Sequence, residues 1–151
     1  SEKFGREGAR DTKTKDWATG YQPAKGVIKM LHWRLASDGR TAVVCSQTEW
    51  MVWMAVSPPP PVGNDTLEGM RVSTVFLGYG DAPWETMVFD IDGNDYSQER
   101  YQSYAAALAG HRAACRGTFG AAAYRRHLRA RAEALESTEQ QPRRAIKLGG
   151  I

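Results

Sequence analysis

The apolar positions are densest between Arg71 and Ile91, RVSTVFLGYGDAPWETMVFDI. β-branched and aromatic residues suit a pleated, half-buried surface. The pattern predicts strands over Arg71–Leu77 and Trp84–Ile91, joined by the loop Gly78–Pro83. Val75 and Leu77 fall on one face of the first strand, Val72 and Phe76 on the other. A strand that is apolar on both faces expects cover on both. The candidates are a tryptophan-bearing helix on one side and the helices within 103–136 on the other.

The flanking segments follow the same logic. Gly26–Ala36 alternates before the turn signal Ser37-Asp38-Gly39-Arg40, and Thr41–Cys45 is β-branched. This predicts a hairpin turning at Asp38-Gly39; a short helix over 27–35 is the competing reading. Ser46-x-x-Glu49 has capping-box spacing. Trp50, Trp53 and Met54 then share a helical face, which predicts a helix from Gln47 to about Val56. Pro58–Pro61 stops it as a rigid spacer. Gly63-Asn64-Asp65 reads as a turn leading back to the central hairpin, and Asp92-Gly93-Asn94-Asp95 as another. Tyr96–Gln102 suits a short third strand. Ser103 is placed to cap a helix whose apolar face holds Tyr104, Ala107, Leu108 and Cys115. A second helix is predicted over Ala121–Glu136, with the stripe Tyr124, Leu128, Ala132 and Leu135.

These elements define an α+β fold: a small antiparallel sheet built on the 71–91 hairpin, packed by a short Trp-rich helix and a C-terminal helix pair. Extended N- and C-terminal arms flank it. The expected organisation is an arm over 1–25, one domain over 26–136 and a basic tail over 137–151. The arm is too polar to build its own core. Phe4, Trp17 and Tyr21 are spaced along it as anchors for another surface.

Charge changes the picture more than composition does. Residues 1–30 hold seven Lys/Arg and four Asp/Glu, residues 31–110 hold four and ten, and residues 111–151 hold nine and three. An acidic middle with basic ends suits contact with nucleic acid or an acidic protein surface, and it suits plain solvated charge equally. No apolar run is long enough to cross a membrane and no signal-peptide core opens the chain. Cys45 and Cys115 stand in no C-x-x-C pattern. Reduced thiols in an intracellular protein are therefore expected.

Four segments carry a resemblance: Val72–Gly78 (VSTVFLG), Glu85–Phe89 (ETMVF), Arg100-Tyr101, and Ala107–His111 with its A-x-A-G-H-like ending. With the Glu49–Trp53 segment, they resemble a group of small uncharacterised proteins of actinobacterial tailed bacteriophages. The resemblance spans roughly residues 40–112, and the loop Tyr79–Pro83 is shorter than the group's usual form. It implies viral origin, in the host cytoplasm or the virion, and no catalytic activity.

The residues themselves offer little catalysis. Glu85 and Asp90 lie five apart, on opposite faces and about 16 Å apart along a strand. The Asp90-Asp92-Asn94-Asp95 cluster lacks the order of a calcium loop. His32, His111 and His127 form no H-x-x-x-H or H-E-x-x-H pattern, and no cysteine is read as joining a histidine at metal spacing. No metal or other cofactor is expected. His111 beside Glu99 and Arg100 reads as a polar knot tying helix to hairpin, and Gly78-x-Gly80 as loop flexibility. The expected function is a non-enzymatic phage protein that binds a host or virion protein. The second expectation is non-specific nucleic-acid binding through Arg125, Arg126, Arg129, Arg143, Arg144 and Lys147, within the basic 112–147 segment. The third is a small enzyme or ligand-binding protein at the 78–85 loop, using Asp81, Glu85 and His111.

Overall fold

The computed structural model of the chain describes residues 29–139. The arm anchors Phe4, Trp17 and Tyr21, and the basic residues Arg143, Arg144 and Lys147, lie outside the described residues. A hairpin of β1 (His32–Leu35) and β2 (Ala42–Cys45) leads into helix α1 (Gln47–Val56). Strands β3 (Gly63–Leu67), β4 (Met70–Phe76), β5 (Trp84–Phe89) and β6 (Asp95–Tyr101) form an antiparallel meander in that spatial order. Helices α2 (Tyr104–Phe119) and α3 (Ala121–Glu139) follow. The architecture is α+β, as the periodicity predicts.

Local chemistry accounts for most boundaries. Asp38 Oδ1 accepts from the backbone N–H of Arg40 and Thr41 at 2.9 Å each, closing the first turn. These bonds, with one from the Thr41 hydroxyl, hold the Asp38 carboxyl down at about 2. The Ser46–Glu49 capping box is complete on both sides, and the Ser103 hydroxyl accepts from Ala106 N–H. Asp90 Oδ1 accepts from Asp92 and Asn94 N–H, which makes that acidic cluster a turn.

Three expectations need correction. Gly63-Asn64-Asp65 is the first half of β3, paired with Thr74, Ser73 and Val72, and the reversal falls at Glu68-Gly69 instead. Glu68 takes the left-handed conformation there, at φ 52°. Short polar residues look like a turn, yet a strand beside a buried one gains its backbone pairing from the neighbour. Gly78 is not a flexible joint: it sits at φ 72°, and a Cβ there would lie 2.6 Å from Trp33 O and Trp50 Nε1. The third correction concerns cover. α1 does not roof the second face of the sheet. Trp53 meets Phe76 edge-on, at 5.8 Å between centroids, in the same cluster as Ala107 of α2.

The sheet's inner face is built from three paired rows: Phe76 with Trp84, Thr74 with Thr86, and Val72 with Val88. All six residues are buried. α2 lies across them and splits the core in two. One cluster joins Leu35, Phe76, Trp84 and Ala107; the other joins Val72, Val88, Cys115 and Tyr124. The middle row, two threonines, divides them.

Candidate functional site

That polar row is where the chain's chemistry collects. Thr86 Oγ1 lies 2.6 Å from Thr74 Oγ1, and Thr74 Oγ1 lies 2.8 Å from His111 Nδ1 on α2. His111 Nε2 lies 2.8 Å from Asp65 Oδ2 on β3. The other carboxylate oxygen, Oδ1, receives His127 Nε2 at 2.9 Å and Arg131 NH1 at 2.5 Å, both from α3. Cys115 Sγ closes the group, 3.5 Å from His111 Nε2 and 3.9 Å from Asp65 Oδ2. One carboxylate thus fastens two helices to the sheet.

The fold makes room for this at one residue. Gly63 pairs with Thr74 on the inner face and has no side chain to occupy it. A Cβ there would sit 2.4 Å from His111 Cδ2 and Nε2. The imidazole ring fills the space that the missing side chain leaves. On the far side, Thr86 faces the Tyr101 phenol, whose hydroxyl donates to Glu99 at 3.1 Å. The VSTVFLG, ETMVF, Arg100-Tyr101 and Ala107–His111 segments therefore meet in space. Thr74, Thr86, Tyr101 and His111 are their points of contact with this network.

Burial by itself raises the pKa of Asp65. Hydrogen bonds from His111 and His127 and the charge of Arg131 outweigh that, holding the carboxyl below its usual range. Burial first, then the Asp65 charge, pushes the Cys115 thiol up to about 12. A thiol so held is protonated at neutral pH and is a poor nucleophile. Cys45 is half-buried and Cys115 buried, both as free thiols. Iodoacetamide should therefore modify Cys45 in the native protein and Cys115 only on unfolding, as mass spectrometry would read. The raised pKa makes folding stability fall as pH rises from about 9, the ordinary thiol value, toward about 12. Cys115→Ala should flatten that alkaline slope in denaturant melts.

The sequence candidates disperse. Glu85 points to the outer face, where Arg100 Nε reaches it at 2.9 Å and Gln98 also donates to it. Arg100 NH1 further donates to Tyr79 O and Ala82 O, bracing the 78–83 loop. Asp81 is exposed on that loop and His111 lies beneath the opposite face of the sheet, so Asp81, Glu85 and His111 do not converge. Nor does His111 knot to Glu99 and Arg100; its partners are Thr74 and Asp65. Arg125, Arg126 and Arg129 are exposed on α3, whereas Arg131 is committed to Asp65. Pro58–Pro61 wall a cleft of about 520 Å³ with Leu35, Trp53, Phe76, Trp84 and Tyr104.

Asp65, Thr74, Thr86, Cys115 and His127 were not among the sequence candidates. One signal was legible: His111 and Cys115 stand four apart, on one helical face. Asp65 gave none, because its role depends on β3 being a strand. Comparison with family models, curated proteins and solved structures finds no match to this chain.

Proposed function

We propose that this is a non-enzymatic bacteriophage protein that works by binding another macromolecule, with α3 as the binding element and a second copy of the chain as its partner. The carrying observation is the course of α3. Tyr124 is its buried anchor, and every residue from Leu128 to Glu139 is exposed, Leu128 at 41% and Leu135 at 67%. Leu128, Ala132 and Leu135 share one stripe, and all three are exposed. A helix left so bare gains most of its stability from a packing partner.

Charge favours a second copy. The first half of α3 carries Arg125, Arg126 and Arg129, and the second half Glu133, Glu136 and Glu139. Antiparallel pairing about Ala132 sets Leu128 against Leu135 of the partner subunit. The same register sets Arg125 near Glu139 of the partner subunit and Arg129 near Glu136 of the partner subunit. The contact is self-complementary, as a two-fold interface requires. The small side chain of Ala132, on the same stripe, permits close approach. The resemblance of the VSTVFLG and ETMVF segments supports viral origin, and a self-assembling protein suits a virion neighbour.

Multi-angle light scattering at tens of micromolar should give twice the chain mass for the full chain, and the single mass for Leu135→Glu. Leu135 is exposed, so circular dichroism should be unchanged by that substitution. A monomeric wild type, or an undisturbed Leu135→Glu dimer, would refute the pairing. Nucleic acid is the competing partner for Arg125, Arg126 and Arg129. Salt-dependent binding of duplex or single-stranded DNA or RNA by a monomer, lost on replacing those three with Ala, would assign α3 to that role instead.

A further inference from the structure

We infer that Asp65, His111, Cys115 and His127 form a binding site for a single divalent transition-metal ion, zinc by the chemistry of its donors. The reading is independent of what α3 binds.

Geometry carries it. One ligand atom each from Asp65, His111 and Cys115 lies within 4.8 Å of the other two, and all three residues are buried. Zinc bonds of about 2.0–2.3 Å in a tetrahedron set donor atoms about 3.3–3.8 Å apart. The Cys115 Sγ to His111 Nε2 separation is 3.5 Å and the Sγ to Asp65 Oδ2 separation is 3.9 Å. Within that trio the His111–Asp65 pair, at 2.8 Å, must open, by about half an ångström on that tetrahedral spacing. His127 Nε2 lies 2.9 Å from the other carboxylate oxygen, Asp65 Oδ1, outside that three-residue group, and must swing from it to supply the fourth donor. His127 is the most exposed of the four, so α3 is the side from which an ion enters.

The surroundings match what a ligand set requires. A metal-bound imidazole needs its other nitrogen held by an acceptor. His111 Nδ1 faces Thr74 Oγ1 at 2.8 Å, and Thr74 Oγ1 faces Thr86 Oγ1 at 2.6 Å. With the ion bound, Nδ1–H donates to Thr74, which donates onward to Thr86. Without it, both hydroxyls rotate, Thr74 donates to Nδ1, and Nε2–H donates to Asp65. Arg131 holds Oδ1 and leaves Oδ2 to the metal. One thiolate, one carboxylate and two neutral imidazoles balance a doubly charged ion. Binding releases the Cys115 thiol proton to solvent; each imidazole stays neutral, its proton passing by way of solvent from Nε2 to Nδ1, and no redox step is involved. A mixed sulfur, nitrogen and oxygen set selects zinc, or cobalt(II) as its spectroscopic stand-in, over magnesium and calcium.

The test titrates cobalt(II) chloride into the full chain after chelator treatment. The expected result is one equivalent bound, with a near-ultraviolet thiolate-to-cobalt band and visible bands of a tetrahedral ion, both displaced by zinc chloride. Cys115→Ala should abolish the near-ultraviolet band, and His127→Gln should weaken binding about tenfold or more. Cys45→Ala should leave both unchanged; this control matters because Cys45 pairs with His32 across the first hairpin. Zinc should also raise the melting temperature of wild type and not of Cys115→Ala. Absence of a thiolate band in wild type, or a band that survives in Cys115→Ala and vanishes in Cys45→Ala, would overturn the assignment. Circular dichroism on each variant separates lost ligation from lost fold.

Discussion

Gly63→Ala, the addition of one methyl group, should destabilise this domain by about 3–5 kcal/mol. The new Cβ would lie 2.4 Å from two atoms of the His111 ring and 2.6 Å from a third, far inside contact distance. The ring has no room to yield, because Thr74 and Asp65 hold its two nitrogens at 2.8 Å each. Forcing a side chain into a filled core costs about 1–3 kcal/mol. Displacing the ring strips hydrogen bonds from buried groups, at about 1–3 kcal/mol for each one left unpaired. For a chain of this length the loss corresponds to a fall in melting temperature of about 10–15 °C. A double substitution makes the cause explicit. His111→Ala removes the obstacle, so Gly63→Ala/His111→Ala should be more stable than the sum of the single effects by about 1 kcal/mol or more. Urea melts of the four proteins measure this. Strict additivity would mean that the methyl and the ring do not meet.

Asp65→Ala should cost about as much, about 3–5 kcal/mol, for a different reason. Its carboxylate is the shared partner of His111, His127 and Arg131, and removing one member of a buried ionic group leaves the others uncompensated. Asp65→Asn keeps the shape and loses the charge, so its penalty should fall between zero and that of Asp65→Ala. Acid behaviour supplies a second readout. The Asp65 carboxyl has a lowered pKa in the folded state, so it contributes stability above about 4, its ordinary range. That contribution is lost as pH falls through the lower folded value. Wild type should therefore lose stability below about pH 4 more steeply than Asp65→Asn, as denaturant melts at stepped pH would record. Equal acid slopes would remove Asp65 from its place as the hub.

Both predictions rest on residues that sequence patterning passes over. Gly63 and Asp65 belong to GNDTL, a stretch with almost no apolar content and the composition of a turn. What makes it a strand is β4 beside it. Five successive backbone pairings from Gly63↔Thr74 to Leu67↔Met70 compensate for weak local preference. Once it is a strand, alternation sends Asp65 to the inner face, where a carboxylate needs partners from two helices.

The sequence by itself determined the elements whose signals are local. The capping box at Ser46, the Asp38-Gly39 turn, the strand pair around the 78–83 loop and the Ser103-capped helix each depend on residues a few positions apart. Those residues interact whatever the rest of the chain does. It also determined the amphipathic stripe of α3, though the stripe's exposure was not legible. Only the tertiary structure decided the rest. It put Glu85 on the outer face with Arg100, took Arg131 from the basic surface for Asp65, and placed α1 at the end of the core that α2 covers. It brought Asp65 to His111 and His127 across separations of 46 and 62 residues. A spacing rule reads one face of one helix or strand. A site assembled from β3, β4, α2 and α3 exists only once strand pairing fixes which side chains face inward and helix packing fixes what meets them.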